Sequence, residues 1–119
     1  MKGRVFLVQW DRAAAQECTR QLEADGWQVA VESEDGGRAY QRIRAELPDV
    51  VVVDLSRKPS HGREVARSLR QVRATRDLPI AFVGGGVEAQ ADIGAAVPDA
   101  HFADWSGLDA VLAELIVKG

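Results

Sequence analysis

The carboxylate of Asp54 is the first group in this chain that we expect to do chemistry. It follows a run of four valines, Val50 to Val53. An unbroken run of β-branched residues predicts a strand buried on both faces, as in a parallel sheet covered by helices. Open α/β sheets hold their ligands at the carboxyl ends of such strands, which is where Asp54 falls. The alternative is that Asp54 only orders the loop that follows it.

A second set of polar residues follows the first apolar run of the chain, Val5 to Val8. In a doubly wound sheet the first and third strands are neighbours, and their carboxyl ends open onto one crevice. We therefore expect Gln9, Trp10 and Asp11 to lie beside Asp54.

Other residue patterns give little support for catalysis. The run Gly84-Gly85-Gly86 follows a predicted strand, but it matches neither a Walker sequence nor G-x-G-x-x-G, and a flexible turn is the simpler interpretation. His61 and His101 have no partners at metal-ligand spacing. No Ser/His/Asp or Cys/His set is evident, so we predict a protein that is not an enzyme.

The elements that would position these residues alternate along the chain. Apolar runs predict five strands, and helical spacing of apolar residues predicts five helices between and after them. The order βαβαβαβαβα with short connections predicts one domain over residues 1–119. Its fold class is α/β, a flavodoxin-like doubly wound five-stranded parallel sheet of order 2-1-3-4-5 with helices on both faces. The predicted strands lie in Arg4 to Trp10, Trp27 to Glu32, Val50 to Asp54, Leu78 to Val83 and Ala100 to Ala103.

The predicted helices have recognisable ends and apolar stripes. Asp11 has the features of an N-cap, Gly26 closes the first helix, and Pro48 stops the second. The fourth helix runs from about Val87 to Ala96. The apolar stripes are Ala14, Cys18 and Leu22 in the first helix; Ala39, Ile43 and Leu47 in the second; Val65, Leu69 and Val72 in the third, after a loop from Ser56 to Gly62; and Leu108, Val111, Leu112, Leu115 and Ile116 in the fifth.

Composition excludes several classes of protein. The chain has 119 residues, of which 46% are hydrophobic and 28% charged, and its net charge is -3, so nothing favours nucleic acid. No apolar run is long enough to span a membrane. The lone Cys18 is typical of a reducing compartment, and we expect a cytoplasmic protein. The arginine-rich stretch from Arg57 to Arg76 is either a solvated helix face or a patch for an anionic partner.

With these elements in order, the sequence resembles the receiver domain of bacterial response regulators over essentially its whole length. The matching pieces are Val5-Phe6-Leu7-Val8, Gly26-Trp27-x-Val29, Pro48-Asp49-Val50-Val51-Val52-Val53-Asp54, Gly62 eight residues after Asp54, and Leu78-Pro79-Ile80-Ala81-Phe82-Val83.

The resemblance implies that Asp54 occupies the position of a phosphoryl acceptor. In that family a partner histidine kinase phosphorylates this Asp, and it holds Mg²⁺ together with an acidic pair after strand one. A hydroxyl residue after strand four and a Lys after strand five bind the phosphoryl oxygens. Mg²⁺ requires hard oxygen ligands and neutralises the charge of the transferring group.

Most of these auxiliary positions depart from the family pattern. Gln9 and Trp10 replace the acidic pair, Gly84 the hydroxyl residue and Trp105 the Lys, whereas Phe102 keeps an aromatic position. We therefore predict weak Mg²⁺ binding or none. Asp11 would restore a second metal ligand beside Asp54 if the chain bulged by one residue, and Arg57 or Lys58 could instead pair with Asp54 or remain solvated.

The sequence leaves three functions open. The first is a degenerate receiver that binds a protein partner without phosphorylation, through helix four, strand five and helix five, with Phe102, Trp105 and Leu108 in the contact surface. The second is a working receiver, phosphorylated on Asp54 by a histidine kinase. The third is a small-molecule or flavin-binding domain that uses the same crevice. The sequence identifies neither the partner nor the oligomeric state.

Overall fold

The computed structural model describes residues 2–118 and shows a parallel sheet with helices on both faces. The strands are β1 (Gly3–Val8), β2 (Trp27–Glu32), β3 (Val50–Asp54), β4 (Ile80–Val83) and β5 (His101–Ala103). The helices are α1 (Arg12–Ala24), α2 (Gly36–Glu46), α3 (Pro59–Gln71), α4 (Val87–Ala96) and α5 (Leu108–Lys118). The strand order β2-β1-β3-β4-β5 confirms the predicted topology.

The central strand β3 is buried along its whole length and separates two apolar cores. Val51 and Val53 pack with side chains of α2, α3 and α4. Val50 and Val52 point to the other face and pack with side chains of α1 and α5. Because successive strand side chains alternate between faces, the valine run supplies both cores and leaves Asp54 to emerge at the end of the strand.

Local signals at the start of the chain place the crevice residues. Asp11 caps α1, since its Oδ1 accepts a hydrogen bond from the Ala14 backbone N–H at 3.0 Å. Gly26 follows that helix with φ +101°, a conformation that favours glycine. Both predictions for α1 are confirmed, and Gln9 and Trp10 fall in the connection between β1 and α1.

Several predicted boundaries differ from the structure: β1 spans Gly3–Val8 rather than Arg4 to Trp10, and β5 begins at His101 rather than Ala100. The third helix begins at Pro59 rather than after Gly62, because proline is well suited to a first helical turn. Leu47 does not extend the buried stripe of α2, because its backbone turns to φ 46° before Pro48 and leaves the residue 50% exposed. The strand β4 starts at Ile80 rather than Leu78.

Within residues 2–118, every helix is too short or too polar to cross a lipid bilayer.

Candidate functional site

The carboxylate of Asp54 is buried at the carboxyl edge of β3, with the residue only 3% exposed. Its Oδ1 accepts a hydrogen bond from the Ser56 backbone N–H at 2.8 Å. Its Oδ2 accepts one from the Trp105 indole Nε1 at 3.3 Å. The carboxylate makes no ion pair in the part of the chain that the structure describes, so two neutral donors replace its lost hydration.

Trp105 reaches this carboxylate from the loop between β5 and α5. Its ring packs against the core on the α1 and α5 face. Its backbone carbonyl accepts a hydrogen bond from Gln21 Nε2 at 3.1 Å, which ties the loop to α1. The same loop is closed by Asp104, whose Oδ1 accepts hydrogen bonds from Ser106 Oγ and the Gly107 N–H at 2.7 and 2.8 Å. These contacts fix the loop and thereby position the indole N–H beside Asp54.

Asp11 lies at the same edge of the sheet, but its carboxylate is used elsewhere. One oxygen caps α1, and the other lies 3.2 Å from the Arg57 Nη2. The hydrogen bond from the Ala14 backbone lowers the pKa of Asp11 below its ordinary value, and the charge of Arg57 lowers it further. The suggested pairing of Arg57 or Lys58 with Asp54 is not found among the described residues, because Arg57 pairs with Asp11 and Lys58, which precedes α3, makes no ion pair with Asp54.

Gln9 and Trp10 occupy the positions that resemble the acidic pair of the family. Gln9 is buried, and its Oε1 accepts a hydrogen bond from the Asp11 backbone N–H at 3.2 Å. Trp10 turns away from Asp54 toward α2 and α3, where its ring meets that of His61 edge-on at 5.5 Å. Its Nε1 is buried and has no hydrogen-bond partner among residues 2–118. Two neutral side chains thus replace two anionic ones.

Gly84 closes the crevice on the β4 side. Its backbone has φ +71°, and a Cβ built on it would lie 2.6 Å from Ser56 Oγ and 3.2 Å from Asp54 Oδ1. A hydroxyl side chain at this position would therefore collide with Ser56 in the arrangement seen here. The glycine allows the loop after β4 to press directly against Asp54.

The acidic side chains of this crevice do not fit a Mg²⁺ centre. The ion requires an octahedral shell of oxygens, usually with more than one free carboxylate. Here the oxygens of Asp54 and Asp11 already accept hydrogen bonds or an ion pair. Across residues 2–118, no cluster of three or more His, Cys, Asp or Glu side chains is placed to hold a metal.

Cys18 on α1 borders the crevice but is not activated. Burial raises the pKa of its thiol to about 11, and the charge of Asp54 contributes to the increase. A thiol with this pKa is almost entirely protonated at neutral pH, so it is a poor nucleophile.

The three predicted partner contacts differ in exposure. Phe102 is 38% exposed on β5, whereas Leu108 is 1% exposed and belongs to the core beneath α5. Trp105 is half-buried with its N–H directed to Asp54. The assignment of Leu108 to a contact surface is therefore corrected, because the first turn of α5 directs it inward.

The hydrogen bonds that complete this site were missed by sequence reasoning. The bond from Ser56 has a recognisable signal, since an Asp often accepts from the N–H two residues later in an Asx turn. The bonds that Trp105 makes with Asp54 and Gln21 have no such signal. They join residues 51 and 84 positions apart in the chain.

Comparison with known sequences identifies response regulators as relatives. The chain is 36% identical over 80 residues to the response regulator MprA of Mycolicibacterium vanbaalenii, a match that covers 67% of this chain and 33% of the relative. Response regulator MprA of Mycobacterium bovis is 35% identical over 80 residues, with 67% and 34% covered. The match thus spans about a third of the length of these relatives. No protein-family model matches the chain.

Comparison with solved structures gives the fold independently. A putative response regulator from Chloroflexus aurantiacus superposes with a TM-score of 0.82 at 21% identity, covering 97% of this chain and 98% of that one. The Vibrio cholerae chemotaxis protein CheY4 gives a TM-score of 0.77 at 19% identity, covering 94% and 97%. At these identities the likeness establishes the shared fold.

Proposed function

Because this chain belongs to the receiver domains of response regulators, we propose that it is an atypical, non-enzymatic receiver that signals by binding a protein partner without phosphorylation of Asp54. The observation that carries the proposal is the hydrogen bond from Trp105 to Asp54. A neutral indole N–H, rather than a cation, donates to the buried carboxylate of Asp54.

The electrostatics of the crevice support the same proposal. Phosphoryl transfer to a carboxylate brings two anions together, so a metal or cationic side chain must neutralise the developing charge. Among the described residues, Arg57 lies 3.2 Å from Asp11 and does not pair with Asp54. We therefore propose that Mg²⁺ binds weakly, that acyl phosphate forms poorly, and that no other cofactor is needed.

A histidine kinase or a downstream signalling protein is the class that the family implies, and we place the encounter in the cytoplasm, in keeping with the single Cys18. The exposed Phe102 on β5 supports a contact through that side of the sheet.

Intact mass after incubation with acetyl phosphate and Mg²⁺ tests the proposal. We expect no phosphate adduct on the wild-type chain under conditions that fully modify a standard receiver run in parallel. Asp54→Asn serves as the matched control, since it removes the acceptor and keeps the shape. An adduct on the wild type that is lost in Asp54→Asn would establish a working phosphorelay receiver and refute the proposal.

A further inference from the structure

Positive charge is concentrated in the part of the chain that forms α2 and α3. Residues 36–76 hold ten Lys or Arg against four Asp or Glu, whereas the rest of the chain holds five against fourteen. Lys58, Arg73 and Arg76 are exposed, and none of them makes an ion pair with a residue that the structure describes. This excess of cations favours the anionic partner that the sequence left open for the stretch from Arg57 to Arg76.

A groove of about 240 Å³ lies between these two helices, and its lining is mostly apolar. Gly36 and Tyr40 of α2 line one side, while His61, Glu64 and Val65 of α3 line the other. We call this space and the side chains at its rim the α2–α3 groove. It lies apart from the carboxylate of Asp54, which belongs to the crevice at the end of β3.

The inner end of the α2–α3 groove is aromatic because position 36 is a glycine. A Cβ built on Gly36 would lie 3.5 Å from Val65 Cγ2 and 3.6 Å from Trp10 Cη2, so a side chain there would occupy this space. The rings of Trp10, Tyr40 and His61 therefore border the groove. Such surroundings suit a further planar ring, which can pack face-on or edge-on against its neighbours.

The rim of the α2–α3 groove is positively charged. Arg44 lies over the ring of Tyr40, 5.7 Å from its centroid, and makes no ion pair within residues 2–118. Glu64 is opposed by two cations, since its Oε1 lies 3.3 Å from Arg67 Nη1 and 3.6 Å from Arg63 Nε. One carboxylate thus faces three guanidinium groups, which leaves an excess of positive charge around an apolar centre.

Charge and shape together decide which occupant suits the α2–α3 groove. A two-fold dimer would bring the same arginines against each other, and like charges across an interface are costly. A nucleic acid would bring its repeated phosphates against Glu64 and against a chain of net charge -3. A protein segment with one aromatic residue between Asp or Glu residues would satisfy both the apolar centre and the rim.

We propose that the α2–α3 groove binds an acidic segment of a partner protein, with an aromatic side chain between Tyr40 and Val65 and carboxylates on Arg44 and Arg67. The inference goes beyond the proposed function and rests on it only in that both require a protein partner. Attraction to the arginines would speed the encounter, and burial of the ring would hold the complex.

A fluorescein-labelled peptide of aspartate and serine with one central tryptophan is a suitable probe. Titration followed by fluorescence anisotropy should give saturable binding to the wild type, weakened by added salt. Replacing the tryptophan of the peptide by alanine should weaken binding about tenfold. Replacing its aspartates by lysines should abolish binding.

Filling the α2–α3 groove from within tests its shape. Gly36→Leu places a side chain in the groove and should weaken peptide binding about tenfold or more. Gly94→Leu is the matched control, because a Cβ on this glycine of α4 would meet no atom within 4 Å. It should bind the peptide within about twofold of wild type. Circular dichroism establishes that both variants are folded.

Removing the rim charges tests the electrostatic part. Arg44→Gln/Arg67→Gln should weaken binding about fivefold. Lys2→Gln/Arg20→Gln removes two exposed cations that pair with Asp109 and Glu17 on the other face of the sheet, and it should bind within about twofold of wild type. Equal weakening in both double variants would show attraction to net charge alone and overturn the proposal, as would a folded Gly36→Leu variant that binds like wild type.

Three further outcomes would also overturn the proposal. The first is an absence of peptide binding to the folded wild type. The second is tighter binding of labelled oligothymidine than of the peptide, which would make single-stranded nucleic acid the occupant. The third is a dimer in sedimentation that Gly36→Leu breaks, which would make a second copy the occupant.

Acetyl phosphate separates this inference from the proposed function. The peptide affinity should be the same for Asp54→Asn and for wild type incubated with acetyl phosphate and Mg²⁺. A change in affinity that requires Asp54 would refute phosphorylation-independent signalling, while the variants of Gly36, Arg44 and Arg67 would still decide where the acidic segment binds.

Discussion

Two tryptophans border the crevice, and their indole N–H groups have opposite surroundings. Trp105 donates to the buried carboxylate of Asp54, whereas the Trp10 N–H is buried without a partner. A hydrogen bond to a charged group contributes about 1.5–3 kcal/mol, whereas a buried donor without a partner costs about 1–3 kcal/mol in lost hydration. The two residues thus form a natural pair for measuring what the contact with Asp54 is worth.

Replacing each indole by a phenyl ring should separate the two environments. Trp105→Phe removes a donor from Asp54 and should lower the free energy of unfolding by about 1.5–3 kcal/mol beyond the loss of ring area. Trp10→Phe removes an unsatisfied donor, so the relief of its desolvation cost should offset part of the loss from the smaller ring. Urea unfolding followed by circular dichroism measures both, and equal losses would show that the Trp105 bond adds no stability.

The thiol of Cys18 should react slowly in the folded protein. The pKa of this thiol is about 11, against 9.0 for an ordinary thiol. The thiolate fraction at neutral pH is therefore reduced by about a hundredfold. Alkylation by iodoacetamide at pH 7.5, followed by mass spectrometry, should therefore be about a hundredfold slower than in the same chain unfolded in urea. Comparable rates would contradict the raised pKa.

At the scale of single elements, α1 depends on a titratable cap. Asp11 has a lowered pKa in the folded chain, mainly because it accepts the Ala14 N–H and also because Arg57 lies beside it. The unfolded state therefore binds this proton more readily. The stability that Asp11 contributes is present above its ordinary value of 3.8 and is lost as the pH falls through the lower, folded pKa.

The Asp11→Asn variant should respond less to acid than the wild type. Asparagine retains a capping oxygen but cannot titrate or pair with Arg57. Between about pH 5 and pH 2.5 we expect the melting temperature of the wild type to fall more steeply than that of Asp11→Asn. Glu23→Gln on the same helix is the control, since the structure gives the Glu23 side chain no hydrogen bond among residues 2–118. Parallel pH profiles for wild type and Asp11→Asn would contradict the assignment.

Two helical glycines should respond oppositely to alanine. In α3, a Cβ on Gly62 would lie 2.7 Å from the Val53 Cγ1 of β3, whereas in α4 a Cβ on Gly94 would meet no atom within 4 Å. Gly62→Ala should destabilise the chain by about 1–3 kcal/mol through overpacking, and Gly94→Ala should stabilise it by up to about 1 kcal/mol. Chemical denaturation measures both, and stabilisation by Gly62→Ala would show that α3 can move away from the sheet at little cost.

At the scale of the whole molecule, the sheet divides the apolar interior into two cores. Ile43 lies in the core beneath α2 and α3, and Val5 lies in the core beneath α1 and α5. Ile43→Val should cost about 1 kcal/mol and Val5→Ala about 2 kcal/mol. Because the two sites lie in separate cores on opposite faces of the sheet, the double variant should lose the sum within about 0.5 kcal/mol.

If the chain is the single domain that we predict, it should unfold in one cooperative step. Unfolding followed by circular dichroism and by tryptophan fluorescence should give one coincident transition for the wild type and for all three variants. Two separate transitions, or a double variant far from the sum, would mean that the two faces unfold as separate units.

Local sequence determined the fold and the position of Asp54 within it. The valine run before Asp54, the Asp11 cap and the left-handed Gly26 act within a few residues of chain, and their combined order is compatible with one sheet topology. Asp54 could therefore be placed at the carboxyl edge of β3 from the sequence alone. Leu47 shows where this reasoning ends, because its side chain follows a backbone turn rather than the helical period.

Only the tertiary structure decided what surrounds Asp54. Whether Arg57 would turn to Asp54 or to Asp11, and whether Trp105 would face solvent or the carboxylate, depends on the packing of loops that meet from distant parts of the chain. The two arrangements differ by only one hydrogen bond or ion pair. This difference in free energy is far smaller than the free energy gained by burying the regularly spaced apolar residues that specify the fold. The spacing of apolar residues therefore predicts the sheet, while the contacts of Asp54 form only when β1, β3, β4 and β5 lie side by side.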